Sequence, residues 1–251
     1  MTQIRFYGHP LPGFTEKELP GKFIVIEGTD GVGRSTQIAL LQEWLEGLGF
    51  AATRTGLKRS PLTGKGINMA KRGHTLSDTV MYLMYATDLA DRLETQIIPA
   101  LRAGMVVLTD RYIFSPIARA QTRGSDPKWI RKVVGFALVP DATFYLQADL
   151  PHLIPRVLAT RGFDYWESGM DFLKGKKLFP NYMRYQTRLI EQFDAIADEF
   201  NFHRIDANRS VVEVFADLRR EVQKVVAPMK DEAVYRKSNA GVVKETAIAQ
   251  P

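Results

Sequence analysis

Phe23-Ile24-Val25-Ile26-Glu27-Gly28-Thr29-Asp30-Gly31-Val32-Gly33-Arg34-Ser35-Thr36 is the stretch on which the fold turns. Its first four residues are a β-branched and aromatic run, as expected of a strand buried on both faces of a parallel sheet. The pattern G-x-x-x-x-G-K-[ST] follows at once, with arginine in place of lysine at position 34. Gly28, Gly31 and Gly33 let the backbone wrap closely around an anion. Successive N–H groups then point inward, and the N-terminus of the next helix adds positive potential. Ser35 would offer its hydroxyl to a Mg²⁺ ion bridging the outer phosphates of a nucleotide. Arg34 keeps the charge of the usual lysine but is planar and forked, so it can hold a phosphate bidentately.

Working outward, Ser35 to Leu48 has helical spacing, with Ile38, Leu41, Leu45 and Leu48 on one face and Gly49 as the stop. Phe50–Arg54, Met105–Leu108, Ala142–Leu146 and Phe202–Ile205 read as four further strands. Ser77–Arg102 reads as a long helix with Ser77 as N-cap and Gly104 as stop. Two helical pieces follow the third strand, and Leu153–Thr160, Leu178–Phe200 and Val211–Val226 read as later helices. Residues 55–75, with Lys58, Arg59, Lys65, Lys71 and Arg72, are expected to form a basic, mobile loop. Residues 161–177 are a glycine-rich charged segment. Residues 1–21 read as an irregular N-terminal extension and 228–251 as a flexible tail, leaving 22–227 as the domain. Alternating short strands and helices imply an α/β fold with a mainly parallel five-stranded sheet, and ligands then bind beyond the carboxyl ends of the strands.

Composition narrows the function. With 251 residues, 45% of them hydrophobic and 25% charged, the chain suits one globular domain. It has no cysteine, which excludes disulfides, cysteine metal sites and thiol catalysis. No apolar run approaches the roughly 20 residues of a membrane span, and the first residues lack a secretory h-region, so a cytoplasmic location is expected. A net charge of +6 allows phosphorylated small molecules or nucleic acid as partners. The basic stretch lacks interleaved aromatics, which argues against nucleic acid. His9, His74, His152 and His203 are scattered without metal-ligand spacing.

A second anchor is Asp110-Arg111-Tyr112 at the end of the third strand. A carboxylate at that place can meet the Mg²⁺ shell, and the adjacent arginine can clamp a second phosphate.

With these anchors placed, the chain resembles the thymidylate kinase family of P-loop nucleoside monophosphate kinases from about Phe23 to Val226. The matching pieces are residues 23–31, Thr53-Arg54, Leu83 to Asp88, Ile98-Pro99-Ala100-Leu101, Asp110-Arg111-Tyr112 with Ser115 and Ala118, Arg161-Gly162 with Asp164 and Glu167, and Ile205-Asp206-Ala207. The resemblance implies a P-loop NTPase fold with a lid at about 161–177, ATP and Mg²⁺ as cofactors, small nucleotide substrates and a homodimer. It implies that Gly28, Gly31, Val32, Gly33, Arg34, Ser35 and Thr36 hold the donor phosphates, with Asn208 and Arg209 near the donor base. Asp30, Arg54, Tyr85, Arg92, Arg111, Ser115 and Gln121 would surround the acceptor. Arg34, Arg161 and Asp110 would serve the transfer, and Ser35 and Asp110 the metal.

The sequence departs from the family where base and charge are read. Arg34 replaces the loop lysine, and Thr55 stands where the family has a carboxylate. The arginine that reads the acceptor base is Leu89, with Arg92 one turn on as its expected substitute. The family's Ala-Tyr-Gln is Ala118-Arg119-Ala120, with Gln121 one place late. Three functions are therefore expected in order: a kinase of dTMP, a kinase of the same fold with another nucleotide or polyphosphate as acceptor, and a catalytically weak nucleotide-binding protein acting through a partner.

Overall fold

The computed structural model describes residues 2–3, 5–15 and 17–248, with side chains for 5–15 and 17–229. The elements in chain order begin with β1 (Thr2–Gln3) and β2 (Glu18–Leu19), a small antiparallel pair, and β3 (Lys22–Glu27). Next come α1 (Arg34–Gly47), β4 (Ala52–Gly56), α2 (Gly64–Gly73) and α3 (Asp78–Arg92). A π-helical turn at Leu93–Ile97 leads into α4 (Ile98–Arg102). They are followed by β5 (Val106–Asp110), α5 (Phe114–Thr122), α6 (Pro127–Val133), β6 (Ala142–Gln147), α7 (Leu150–Thr160), α8 (Leu178–Glu199), β7 (His203–Asp206) and α9 (Val211–Ile248).

The five main strands form one parallel sheet in the order β4-β5-β3-β6-β7. This is the α/β architecture of the P-loop NTPases. Side chains along β3 alternate between two cores, as strand geometry requires. Phe23 and Val25 pack with α3, α5 and α8 through Tyr85, Leu89, Phe114 and Phe193. Ile24 and Ile26 pack with α1 and α9 through Ile38, Leu41, Leu218 and Val222. Because both faces are covered, these strands are continuous apolar runs.

Register places the chemistry. Ile26 pairs with Asp110 across β3 and β5, so the glycine loop after β3 and the Asp110-Arg111 pair leave the sheet side by side. The order reverses at β3, which opens the crevice in which α/β sheets bind ligands.

Four expectations need correction. The 55–75 stretch is not all loop: α2 occupies Gly64–Gly73, anchored by the fully buried Ile67. The Ser77–Arg102 stretch is helical throughout but widens into a π-turn at Leu93–Ile97, and Ser77 does cap it, accepting from Val80 N. The last helix runs through Pro228 to Ile248, well beyond Val226; residues 249–251 of the expected tail lie outside the described residues. The N-terminal extension packs on the domain, with Tyr7 edge-on to Phe114 and Phe200, and Leu11 and Leu19 buried; its residues 1, 4 and 16 lie outside the described residues.

Candidate active site

The glycine loop bends from β3 into α1 through three left-handed glycines, with φ of 145°, 84° and 96° at Gly28, Gly31 and Gly33. A Cβ on Gly28 would lie 2.7 Å from the Leu146 carbonyl oxygen, and one on Gly31 would lie 2.6 Å from Val157 Cγ2. Both glycines are therefore demanded by conformation and by close approach.

Arg34 opens α1 but turns its guanidinium back on the loop. Nε donates to Asp110 Oδ1 at 2.7 Å, and Nη1 donates to the carbonyls of Gly28, at 2.6 Å, and Thr29. Ser35 Oγ donates to Asp110 Oδ2 at 3.0 Å. Burial opposes ionisation of Asp110, but the charges of Arg34 and Arg111 and these hydrogen bonds hold its carboxyl below the usual range. An ionised carboxylate beside a serine hydroxyl at the mouth of a phosphate loop is the oxygen donor set that suits Mg²⁺.

Asp30 is the centre of charge. Its carboxylate accepts from Arg111 Nη2 at 2.5 Å and Arg119 Nη2 at 2.9 Å, with Arg161 at 3.7 Å and Arg34 at 4.0 Å. Against the cost of burial, these four arginines hold its carboxyl well below the ordinary value. Arg111 takes a left-handed φ of 71°, unusual for a non-glycine residue, and donates to Ser115 Oγ at 3.0 Å. Burial and the Arg34 charge push its guanidinium down to about 10. Ser115 in turn donates to the buried Glu27, which also accepts from Tyr112 N at 2.8 Å and Ser115 N at 3.1 Å. Burial raises the Glu27 carboxyl. Glu27 and Ser115 thus orient Arg111 from behind.

These residues border a cavity of about 190 Å³ lined by Asp30, Lys58, Arg59, Asp110, Arg111 and Arg119, together with Lys71, Arg161 and Glu167. It adjoins a second cavity walled by Met81, Tyr82, Tyr85, Tyr185 and Trp166, which shares Lys71, Arg119 and Glu167 with the first. The first is lined by six cations and three carboxylates, and the second has an aromatic wall with charged groups at its edge. The 161–177 segment, expected to be the lid, borders both through Arg161, Trp166 and Glu167. Arg161 pairs with both oxygens of Glu167 at 2.7 Å, and Trp166 Nε1 donates to Lys71 O at 3.0 Å. Desolvation and the nearby Asp30 push the Glu167 carboxyl up to about 7.

The pattern of the thymidylate kinase family matches residues 26–218. The chain belongs to the thymidylate kinase family. It is 35% identical over 202 residues to the probable thymidylate kinase 2 of Saccharolobus solfataricus, covering 80% of this chain and 94% of that protein. It is 35% identical over 208 residues to the thymidylate kinase of Leifsonia xyli subsp. xyli, covering 80% of this chain and 93% of that one. The thymidylate kinase of Shouchella clausii is 30% identical over 228 residues, 84% of this chain and 99% of the relative.

Within this family frame, the structure gathers Gly28, Asp30, Gly31, Val32, Gly33, Arg34, Ser35, Thr36, Asp110, Arg111 and Arg161 around one crevice and sets Tyr85 in the planar cavity. Asn208 and Arg209 sit in the loop after β7, beside α1: Asn208 Oδ1 accepts from Asp149 N, and Gln37 of α1 donates to Val211 O at 2.9 Å.

Three residues expected at the acceptor stand elsewhere. Arg54 is exposed on the edge strand β4 and lines a separate groove with Gln96 and Ala100; Lys58 and Arg59, beyond the strand end, occupy the phosphate cavity instead. Arg92 is fully buried and donates Nε to Asp88 at 2.9 Å, the same carboxylate that takes the backbone N–H groups of Lys58 and Ser60. It holds the 57–63 loop and does not reach the planar cavity. Gln121 follows Arg119 by two positions on α5, about 200° around the helix, so it faces away, with a buried and unpartnered Oε1. The residues there that line the cavities are Arg119 and Arg123, with Ser115 buried behind Arg111. Arg123, which sequence reasoning missed, binds Asp171, Tyr185 Oη and Trp166 O. Its i,i+4 spacing from Arg119 was the available signal.

Proposed function

We propose that the protein transfers the γ-phosphoryl group of ATP to a nucleoside monophosphate, with dTMP as the first acceptor. The observation that carries this reading is the phosphate cavity itself. Lys58, Arg59, Lys71, Arg111, Arg119 and Arg161 meet there against Asp30, Asp110 and Glu167, an excess of positive charge that two phosphates would neutralise. Phosphoryl transfer needs two phosphates in line and developing charge neutralised. The glycine loop supplies the donor side. Arg111, oriented by Ser115 and Glu27, would clamp the acceptor phosphate, and Asp30 would turn to the acceptor sugar. Arg161, carried by the lid, would add charge as the lid closes. Ser35 and Asp110 would hold Mg²⁺, which when bound supplies charge neutralisation on the transferring phosphates. Tyr82, Tyr85 and Tyr185 would wall the base.

The second reading, another phosphate acceptor on the same fold, is favoured by Leu89, which is buried and apolar where the family has a base-reading arginine. A polar site that loses a donor loses much of its discrimination. The homodimer reading has the support of Val80 and Leu83, 42% and 44% exposed on α3; sedimentation of the full chain tests it. No helix of the described residues is long and apolar enough to cross a membrane.

The test is ADP release from MgATP across a panel of nucleoside monophosphates, each compared with an acceptor-free control. Turnover fastest on dTMP is the expected result. Fastest turnover on another acceptor selects the second reading. ATP binding without acceptor-dependent ADP release defeats the kinase reading.

A further inference from the structure

Lys71, in the last turn of α2, stands where three cavities meet. It lines the planar cavity, the phosphate cavity, and a third of about 250 Å³ shared with Lys58, Asn68, Arg72, His74 and Trp166. The other cations at the planar cavity are engaged. Arg119 donates to Asp30, and Arg123 donates to Asp171, Tyr185 and Trp166. Among the described residues, Lys71 Nζ has no hydrogen bond and no carboxylate within 4.0 Å. Its recorded contact is the face of Trp166, 5.6 Å from Nζ to the ring centroid. Burial and the charges of Arg119 and Lys58 push the amine down to about 7, while Asp164 and Asp30 pull the other way. A half-buried ammonium without a counter-ion, at a cleft, is a group awaiting an anion or a carbonyl.

The lid holds this residue in place. The Trp166 indole N–H donates to Lys71 O at 3.0 Å, and the His74 ring stacks on the indole at 5.1 Å. The lid and α2 thus form a clasp around a cation whose ammonium is uncommitted. The base-reading arginine of the family is absent at Leu89, and Arg92 is committed to Asp88. The cation comes instead from a different helix.

We propose that Lys71 binds the acceptor, its ammonium donating to an oxygen of the bound nucleotide, and that Trp166 of the lid positions it. The inference rests on the nucleotide-kinase reading above and deepens it.

The experiment is equilibrium binding of dTMP, or the best acceptor of the panel, and of its phosphate-free nucleoside to the full chain. It compares wild type, Lys71→Met, Lys71→Arg, Trp166→Phe and the Lys71→Met/Trp166→Phe double variant, with steady-state KM values for acceptor and ATP alongside. Lys71→Met is expected to weaken acceptor binding about 10- to 100-fold, the loss of one charge-assisted hydrogen bond, with the KM for ATP within about twofold of wild type. Lys71→Arg recovers part of that loss because the charge is kept. Trp166→Phe weakens binding less, and its effect disappears in the Lys71→Met background, as coupled residues require. Equal losses for nucleotide and nucleoside place the contact on the base, and a loss confined to the nucleotide places it on the phosphate; both support the proposal. Unchanged acceptor affinity in Lys71→Met, or an equal loss of ATP affinity, overturns it. A wild type that binds the acceptor but never phosphorylates it defeats the kinase reading and leaves Lys71 to be judged by the binding data alone. A wild type that binds no nucleoside monophosphate overturns both.

Discussion

Replacing Asp30 with asparagine tests how far this carboxylate balances the charge of the site arginines. The amide keeps the shape and one acceptor oxygen but removes the charge. Four guanidinium groups lie within 4.0 Å of the carboxylate, two of them at 2.5 and 2.9 Å, and the side chain is 14% exposed. Removing one partner of a largely buried pair costs about 3–5 kcal/mol, because the remaining charges are left uncompensated. At ~2–4 °C per kcal/mol for a chain of this size, the melting temperature should fall by roughly 6–20 °C. Inorganic phosphate should then occupy the vacated charge. At a hundredfold excess over its dissociation constant it stabilises by ~2.7 kcal/mol, so it should recover about half or more of the deficit. Chloride at matched ionic strength only screens the repulsion and should recover less. The pH dependence carries a sign. Asp30 has a folded pKa below its unfolded value, so its stabilisation is complete above about pH 3.9 and is lost as pH falls toward the folded value. The gap between wild type and Asp30→Asn should therefore narrow in strong acid as Asp30 itself is protonated, with a further change near pH 7 because the Asp30 charge helps to raise Glu167. Scanning fluorimetry across that matrix reads every term. A fall below about 2 °C, or equal rescue by chloride and phosphate, would refute the reasoning.

Arg34→Lys should lower kcat about 10- to 100-fold with less effect on the KM for ATP. One ammonium cannot reproduce the fork that spans Asp110 and the Gly28 and Thr29 carbonyls, and one lost charged hydrogen bond is worth about 1.5–3 kcal/mol; a rise in turnover would show instead that the arginine is a defect. Glu167→Gln should flatten the pH dependence of stability. The Glu167 carboxyl sits at about 7 in the folded chain, above its unfolded value, so folding takes up a proton and stability falls as pH rises between about 4.3 and 7. The variant should melt higher than wild type at pH 8 and converge with it near pH 5, as followed by circular dichroism; parallel profiles would remove Glu167 from the account.

The three central strands of the sheet were readable because they are covered on both faces. Each had to be a short apolar run, and β3, β5 and β6 are such runs in the sequence itself. Helix α2 was not readable. Gly64, Gly66 and Gly73 are poor helix formers, Lys65 and Lys71 interrupt the apolar face, and Ile67 is its one fully buried anchor. What holds the preceding loop is Asp88, through the N–H groups of Lys58 and Ser60, a tether 28 to 30 residues away in sequence that no local pattern displays. Pro228 misled in the opposite way: it marks a stop in local terms, yet α9 continues past it.

The same distinction separates the readable from the hidden parts of the site. The glycine loop and Asp110-Arg111 are contiguous motifs whose geometry follows from strand register, and both lie where the sequence puts them. The two adjoining cavities are walled by α2, α3, α5 and the 161–177 segment, and there position in a motif is a poor guide. Arg92 and Gln121 lie close in sequence to the roles expected of them, but Gln121 is turned about 200° from Arg119 on the helix and Arg92 is spent on the buried Asp88. The cations that line the planar cavity are Arg119 of α5, Arg123 at its C-cap and Lys71 from the last turn of α2. The departures at Arg119 and Trp166, scattered in the sequence, border the same cavity, whereas Leu89 is packed into the core. The cavity walls draw cations from α2 and α5, while the glycine loop keeps its frame with Arg34 in the lysine position.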